Sequence, residues 1–340
     1  MIIDVHGHNL APSKLQSYWL GQLNFRGSHG RGELKLSDEE IDEPLNKPTF
    51  RGKSLIDQVR EVGTEMQFLS PRPISMAHHE QPERIGRWYI EEVNNVIHRQ
   101  CKLHPDLFRG VAGLPQNPKN SPKSWVAELE RCVTELGFVG CLLNPDPGEG
   151  FYPPPPALGD EYWYPLYEKL VELDVPALIH STQYCNPREP YTLHFINEES
   201  IAIISLLESR VFLDFPNLKL IVCHGGGAIP YQLGRFRGFY DRSGRRALNE
   251  RFEESLRRLY FDTALYSKEA LELLFKVAGV KNCLFGTERP GTGSARDPET
   301  GRSMDDLKFL IDGIDWLSGD DRRQIYEGNT RRVFTRFKDQ

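Results

Sequence analysis

The amino-acid sequence predicts a single α/β domain folded as a closed (β/α)8 barrel. Short apolar segments of strand-forming residues recur eight times along the chain, and segments with the apolar spacing of a helix separate them. The chain has 340 residues, and single domains longer than about 250 residues are often α/β barrels. The sequence lacks the nucleotide-binding patterns GxGxxG and GxxxxGK(S/T), the first of which is typical of open doubly wound sheets. We therefore assign residues 1–340 to one barrel domain.

The strict alternation of strands and helices implies a parallel sheet. In chain order the predicted strands are IIDV (2–5), EMQFLS (65–70), FRGVAGL (108–114), GFVGCLL (137–143), VPALIH (175–180), LKLIVCH (218–224), LYFDTA (259–264) and NCLFG (282–286). The predicted helices are SLIDQVREVG (54–63), a long helix over 84–104, SWVAELERCVTELG (124–137), YPLYEKLVELD (164–174), ESIAIISLLESRVF (199–212), IPYQLGRFRGFYDR (229–242), KEALELLFKVAG (268–279) and SMDDLKFLIDGI (303–314).

Two connections are unusually long, namely residues 9–52 after the first strand and residues 144–163 after the fourth. Loops beyond about 12–15 residues in a compact domain are usually functional or contain small elements of their own. Both connections leave the carboxyl ends of strands, where the active sites of barrels are built. We expect them to enclose a site.

Composition excludes several classes of protein. The chain carries 42 Lys and Arg against 48 Asp and Glu, a net charge of −6, so it offers no basic surface for nucleic acid. No apolar run approaches the roughly 20 residues that cross a bilayer, and the first residues do not resemble a signal peptide. Six scattered cysteines without a CxxC pair predict free thiols rather than disulfides. These features predict a cytoplasmic protein without nucleic-acid or membrane partners.

Histidines stand at the ends of three predicted strands. His6 and His8 are two residues apart on the first strand, so both side chains point to the same side. His180 ends the fifth strand and His224 ends the sixth. Three neutral imidazoles and one carboxylate suit Zn²⁺ or a similar ion, and Glu288, just after the eighth strand, is the candidate carboxylate. The alternative is that these histidines only form hydrogen bonds in a polar barrel mouth.

Four segments carry a family resemblance, namely DVHGH (4–8), LIH (178–180), CHGGGAIPY (223–231) and EGNTRRVF (327–334). They resemble the amidohydrolase superfamily, and within it the branch of aromatic-acid decarboxylases and related lyases. Other segments are similar to the 4-oxalomesaconate hydratases of that branch: SPR (70–72), LPQNP (114–118), ELERCVTELGFVGC (128–141), LNPDPG (143–148), HGGGAIPYQLGRFRG (224–238) and DPETG (297–301). The resemblance implies a barrel of amidohydrolase type and a lyase that adds water to the C=C bond of an unsaturated oxo-carboxylic acid in aromatic-compound degradation.

The resemblance also implies roles for the strand-end residues. Binuclear members of the superfamily carry a carboxylated lysine where Asn144 stands here, which implies a single metal. His224 would act as the general base on water, and Glu288 would exchange a proton with the adjacent carbon. The residues that would hold the one Zn²⁺ are His6, His8, His180 and Glu288.

A substrate with several carboxylates requires fixed cations and hydrogen-bond donors. Arg72 at the end of the second strand, and Arg235 and Arg237 on the helix after His224, are the candidate cations, with solvated surface positions as the alternative for the latter two. The other predicted substrate contacts are His79 and Asn144. The branch implies a homo-oligomer, a dimer or larger.

The extra histidines leave alternatives open. His78, His79 and His194 depart from the hydratase pattern, so they could recognise a different substrate, supply a second metal site or be ordinary loop residues. A non-oxidative decarboxylase of an aromatic or unsaturated acid would use the same ligands, and a di-iron oxygenase would need a second metal. A barrel that only binds ligands is the remaining alternative. Substrate tests and metal analysis distinguish these hypotheses.

Overall fold

Eight parallel strands form one sheet in the order in which they occur along the chain. The computed structural model describes residues 1–49, 52–182, 188–244 and 247–338. The strands are β1 (Ile3–His8), β2 (Met66–Ser70), β3 (Phe108–Ala112), β4 (Gly140–Leu143), β5 (Ala177–Ile179), β6 (Leu220–Val222), β7 (Tyr260–Asp262) and β8 (Cys283–Leu284). Each lies within or overlaps a segment that the sequence predicts as a strand.

Backbone hydrogen bonds join the first strand to the chain at and after the last one. The amide of Val5 donates to the carbonyl of Phe285 at 2.9 Å, and the amide of Glu288 donates to the carbonyl of His6 at 2.8 Å. These bonds bring the two outer edges of the sheet together, as in a barrel. The predicted (β/α)8 barrel is confirmed.

Helices surround the sheet. In chain order they are α1 (Ser13–Phe25), α2 (Asp38–Asn46), α3 (Leu55–Glu61), α4 (Glu83–Leu103), α5 (Val126–Thr134), α6 (Tyr164–Leu173), α7 (Tyr191–Leu207), α8 (Val211–Asp214), α9 (Leu233–Ser243), α10 (Phe252–Leu256), α11 (Lys268–Ala278), α12 (Leu307–Asp312), α13 (Gly319–Arg323) and α14 (Asn329–Val333). None of the helices in the described residues is long and apolar enough to span a bilayer.

The long connection after β1 contains helices α1 and α2. The side chain of Ser37 accepts a hydrogen bond from the amide of Glu40, and the Glu40 side chain accepts one from the amide of Ser37, a reciprocal cap that begins α2. Ile41 and Leu45 then point one turn apart into the core. The connection over 144–163 has little regular structure apart from a 3-10 turn at Glu161–Trp163.

Other helices differ from the sequence predictions. Helix α7 begins at Tyr191 instead of residue 199, and it ends at Leu207, after which the short helix α8 is separate. The helices α10, α13 and α14 have no counterpart among the predictions. They are five residues each, too short to show a clear helical period in the sequence.

Apolar side chains fill the space between sheet and helices. Helix α4 buries Tyr89, Ile90, Val93 and Ile97 along one face, which packs beside β3. Each such side chain contributes about 1.5–3 kcal/mol through burial. This packing holds the strands in place, so the backbone positions of the residues at their carboxyl ends are fixed.

The predicted free thiols are confirmed for the described cysteines. Cys132, Cys141, Cys223 and Cys283 are buried and free, and Cys101 is half-buried and free. Cys185 lies outside the described residues.

Candidate metal and catalytic site

The four predicted metal-binding side chains converge at the carboxyl ends of the strands. His6 and His8 belong to β1, His180 directly follows β5, and Glu288 lies in the loop after β8. Their candidate ligand atoms all lie within 4.8 Å of one another, and all four residues are buried. Residues far apart in sequence therefore form one compact donor set.

Each of the three histidines has an acceptor at Nδ1. His6 Nδ1 lies 2.6 Å from Asp262 Oδ2, and His180 Nδ1 lies 2.6 Å from the carbonyl oxygen of Ser181. His8 Nδ1 lies 2.8 Å from Ser70 Oγ, whose own proton is donated to a backbone carbonyl. These partners place the ring proton on Nδ1 and leave the Nε2 lone pair of every ring free to bind a metal.

The Nε2 atoms have the arrangement of a ligand set. His6 Nε2 and His8 Nε2 are 3.3 Å apart. This distance matches the separation of about 3.4 Å between two atoms that are each bound about 2.0–2.1 Å from a tetrahedral ion. His180 Nε2 is buried and has no hydrogen-bond partner among the described residues. Converging lone pairs repel each other unless a cation lies between them, so these residues fit a divalent metal.

Electrostatics keeps two of the rings neutral. Burial, with smaller effects from neighbouring imidazoles, lowers the pKa values of His8 and His180 well below the ordinary value for histidine. Neutral imidazole is the form that binds metals. The protein environment therefore maintains the ligating form of these side chains.

We expect Asp262→Asn to weaken metal binding about 10- to 100-fold. Oδ2 of Asp262 accepts from His6, and Oδ1 accepts from the amides of Gly225 and Ala264 at 3.3 and 3.1 Å. An asparagine cannot accept on both sides, because its amide nitrogen would face a donor. Zinc affinity measured by chelator competition checks this expectation. Asp174→Asn, on the outer surface beside Lys219, is the control, and equal zinc affinity in both variants would contradict it.

His224 lies beside the metal-ligand set and is paired with a buried carboxylate. Its Nδ1 is 2.6 Å from Glu199 Oε1, and its Nε2 is 3.9 Å from Glu288 Oε2. Burial opposes the charged form of His224, but the carboxylates of Glu199, Glu288 and Asp262 outweigh it and raise its pKa to about 10. For Glu199, burial is the main effect and raises the pKa of the carboxyl group to about 7. The pair can therefore hold and release a proton next to Glu288.

The glycines after His224 shape this part of the site. Gly225, Gly226 and Gly227 all have positive φ angles, at 62°, 84° and 62°, which glycine adopts without strain. A Cβ on Gly227 would lie 2.6 Å from the carbonyl oxygen of Ile196 in α7. The GGG segment thus lets the chain turn sharply and pack against the helix that carries Glu199.

A cavity of about 770 Å³ opens beside the donor set. His8, His180 and Glu288 line it together with Arg72 and Tyr191. Its size is within the usual range for small-molecule sites. Apolar residues also line the cavity, among them Leu10, Pro73, Ile74 and Pro290.

Two further predicted substrate contacts lie in a buried polar cluster of the loops. Asn144 donates from Nδ2 to Thr182 Oγ1 at 2.8 Å and accepts at Oδ1 from the amide of Asp146. His79 forms a hydrogen bond through Nδ1 with Glu149, which also accepts from Thr182. Asn144 and His79 therefore join the loops after β2, β4 and β5, and neither is among the residues lining the cavity.

Arg235 and Arg237 lie on α9 away from the cavity lining. Both side chains are exposed, and Arg237 Nη1 donates to Glu253 Oε1 at 3.0 Å. The structure does not bring them to the donor set within this chain. Of the three predicted arginines, only Arg72 lines the cavity.

The extra histidines do not form a second donor set within the described ranges. The other group of potential ligands there consists of His6, Cys223 and Asp262, and it shares His6 with the first. Neither group includes His78, His79 or His194.

Sequence reasoning missed Asp262, Glu199 and Tyr266. Asp262 is the last residue of β7, so the strand-end rule that identified the histidines could have found it. Glu199 and Tyr266 lie in a helix and a loop, and no local pattern distinguishes them. Their importance follows only from the contacts with His224 and Glu288.

Comparisons with known proteins place the chain among related enzymes. A family model described as Amidohydrolase matches residues 3–336. A 2-keto-4-carboxy-3-hexenedioate hydratase from Sphingobium sp. strain SYK-6 is 42% identical over 340 residues, 99% of this chain and 96% of that protein. The crystal structure of 4-oxalomesaconate hydratase from Rhodopseudomonas palustris has a TM-score of 0.85 and 36% identity, covering 99% of this chain and 96% of that one.

A more distant relative has the same fold. The structure of 5-carboxyvanillate decarboxylase from Novosphingobium aromaticivorans, with bound manganese, has a TM-score of 0.73 and 19% identity. It covers 98% of this chain and 97% of that one.

Proposed function

The chain belongs to the amidohydrolase family, and on that basis we propose that it is a metal-dependent hydratase of 4-oxalomesaconate or 2-keto-4-carboxy-3-hexenedioate type. The observation that carries the proposal is the convergence of three Nε2 atoms and the Glu288 carboxylate beside His224 and a cavity. The similarity to two hydratases over 99% of the chain supports the reaction type.

We propose that His6, His8, His180 and Glu288 hold one divalent metal, with Zn²⁺ as the preferred ion. Imidazole nitrogens with one carboxylate suit zinc. A manganese ion is bound in the distant decarboxylase, so metal analysis has to compare the two. When bound, the metal would polarise substrate oxygens and stabilise negative charge that develops on them.

The substrate's own structure defines the reaction. In a 2-keto-3-ene the C=C bond is conjugated with the ketone, so the carbon β to the ketone is electrophilic. A water oxygen bonds to that carbon while its proton is removed, the π electrons move toward the ketone oxygen, and the adjacent carbon then receives a proton. One water is consumed, an O–H bond of water and the C=C π bond are broken, one C–O bond and one C–H bond form, and no redox cofactor is required.

Two residues of the site can perform the proton transfers. His224 would remove the proton from water, with Glu199 supporting the imidazolium that forms. A divalent cation at the neighbouring ligand set would oppose the rise in the pKa of His224 and so favour the neutral imidazole that a general base requires. Glu288 would deliver a proton to the adjacent carbon, and the proton that His224 takes from water would then return to Glu288, whose Oε2 lies 3.9 Å from His224 Nε2, so that each turnover is balanced.

An absorbance assay tests the proposal. Protein loaded with zinc is incubated with each of the two unsaturated keto acids, and loss of the conjugated chromophore is followed. We expect turnover that chelation abolishes and zinc restores, with about one metal per chain. Absence of turnover at full metal occupancy, or release of CO₂ from 2,6-dihydroxybenzoate instead, would overturn it.

Arg72→Ala is expected to raise KM roughly 10- to 100-fold, since a hydrogen bond to a charged group is worth about 1.5–3 kcal/mol. Arg72 lines the cavity and is exposed, and no described carboxylate lies within ion-pair distance of its guanidinium. It is therefore available to a substrate carboxylate. Steady-state kinetics checks the prediction.

Arg235→Ala and Arg237→Ala are the matched comparisons for Arg72. Both residues lie on α9 and neither lines the cavity, so we expect a smaller increase in KM than for Arg72→Ala. An equal or larger increase in either variant would assign the substrate carboxylate to the α9 arginines instead.

A further inference from the structure

Tyr266 contacts the carboxylate of Glu288. That carboxylate has two roles in the proposed reaction, as a metal ligand and in proton transfer. Tyr266 lies in the loop after β7 and is half-buried, and its backbone has a positive φ of 56°. The phenol oxygen donates a hydrogen bond to Glu288 Oε2 at 2.5 Å. The same carboxylate oxygen is 3.9 Å from His224 Nε2. Tyr266 thus holds the oxygen that faces the second proton-transfer group.

The backbone of Glu288 is already fixed. Its amide donates to the carbonyl of His6, and its φ of 56° is uncommon for a residue other than glycine. Gly291 packs closely against Glu288, because a Cβ on Gly291 would lie 2.2 Å from the carbonyl oxygen of Glu288 and 2.9 Å from its Cδ. The position of the Glu288 main chain is therefore set independently of Tyr266.

The side chain of Glu288 retains torsional freedom that the backbone does not remove. A glutamate has one more rotatable bond than an aspartate, and functional groups must be held within about 0.5 Å of their productive geometry. Among the described residues, Tyr266 is the one hydrogen-bond donor to this carboxylate. The ring of Tyr266 is itself held by Gly293, where a Cβ would lie 2.4 Å from Tyr266 Cε1.

We propose that Tyr266 is a positioning residue that fixes the carboxylate of Glu288 for metal binding and for proton transfer beside His224. This inference rests on the proposed hydratase function and extends it to a residue outside the metal-ligand set. Tyr266 acts through Glu288, so its removal changes the position of the carboxylate and leaves the rest of the cavity intact.

Tyr266→Phe tests the inference in the zinc-loaded enzyme. We expect zinc affinity, measured by chelator competition, to fall about 10-fold, and kcat at saturating zinc to fall about 10-fold while KM stays within about 3-fold. Tyr164→Phe is the matched control, because its hydroxyl donates to Asp214 at 2.6 Å on the outside of the barrel. Wild-type zinc affinity and kcat in Tyr266→Phe would overturn the inference.

Two further variants separate positioning from a general structural effect. Gly293→Ala retains the phenol but displaces its ring, so it should lower zinc affinity in the same direction. In a Glu288→Ala background, adding Tyr266→Phe should change zinc affinity less than 2-fold, because the side chain through which Tyr266 acts is absent. A full 10-fold further loss in that background would show that Tyr266 acts by another route.

The failure of this inference can be distinguished from failure of the proposed reaction. If the wild-type protein binds zinc but hydrates neither keto acid, the proposed reaction is wrong, while the comparison of zinc affinities still decides the role of Tyr266. If the wild-type protein hydrates a keto acid and Tyr266→Phe is unchanged in zinc affinity and kcat, the reaction stands and the inference is wrong.

Discussion

Glu288→Gln is expected to lower kcat roughly 10³-fold or more. Glutamine has nearly the same shape and can still accept a hydrogen bond from Tyr266, which donates to Oε2 in the wild-type chain. It has neither the negative charge that binds a metal nor the ability to exchange a proton. Loss of this one negative charge therefore removes both metal binding and proton transfer by residue 288.

Kinetics at several zinc concentrations separate the two losses. Zinc affinity should fall about 10- to 100-fold, and the decrease in kcat should persist when zinc saturates the variant. Glu128→Gln is a matched control, because Glu128 is buried on α5 beside Asn94 and Arg131, outside the site. Turnover by zinc-saturated Glu288→Gln within 10-fold of wild type would exclude a proton-transfer role for Glu288.

His224→Asn is expected to lower kcat about 10²- to 10⁴-fold while zinc affinity changes little. The amide of asparagine can replace the Nδ1 donor toward Glu199, which lies 2.6 Å from His224 Nδ1. It cannot serve as a general base. Turnover and zinc stoichiometry measured on the same preparation check both parts of the prediction.

The control for His224 is His98→Asn, since His98 lies on α4 with its Nδ1 2.9 Å from the carbonyl of Leu136. We expect wild-type turnover from that variant. Loss of zinc together with activity in His224→Asn would instead make His224 a metal ligand, and the assignment of the general base would have to change.

The two variants have different expected signatures because the residues occupy different places in the same cluster. Glu288 belongs to the set of ligand atoms within 4.8 Å of one another, whereas His224 does not. A fall in kcat with zinc retained therefore identifies proton transfer, and a fall accompanied by zinc loss identifies ligation. This contrast tests the site without depending on the exact substrate.

Strand periodicity and strand-end positions allowed the fold and the donor set to be predicted. All eight strands overlap their predicted segments, because buried parallel strands appear in sequence as short apolar runs. His6, His8 and His180 were identifiable because each lies at the carboxyl end of such a run. Helix boundaries were less well predicted, as α7 illustrates by beginning at Tyr191.

The sequence did not indicate where the predicted substrate contacts would lie in the fold. Arg72 lines the cavity, but Asn144 is engaged in hydrogen bonds between loops and Arg237 is paired with Glu253. A sequence shows which residues can carry charge or donate hydrogen bonds. It does not show whether a neighbouring loop or helix already uses them.

The sequence by itself determined the barrel and the residues able to bind a metal, because apolar periodicity and strand-end chemistry are local properties. Only the tertiary structure decided how those residues are oriented. Asp262 directs the Nδ1 proton of His6, Glu199 pairs with His224, and Tyr266 holds Glu288. These partners come from distant parts of the chain, and only closure of the barrel brings them within hydrogen-bond distance.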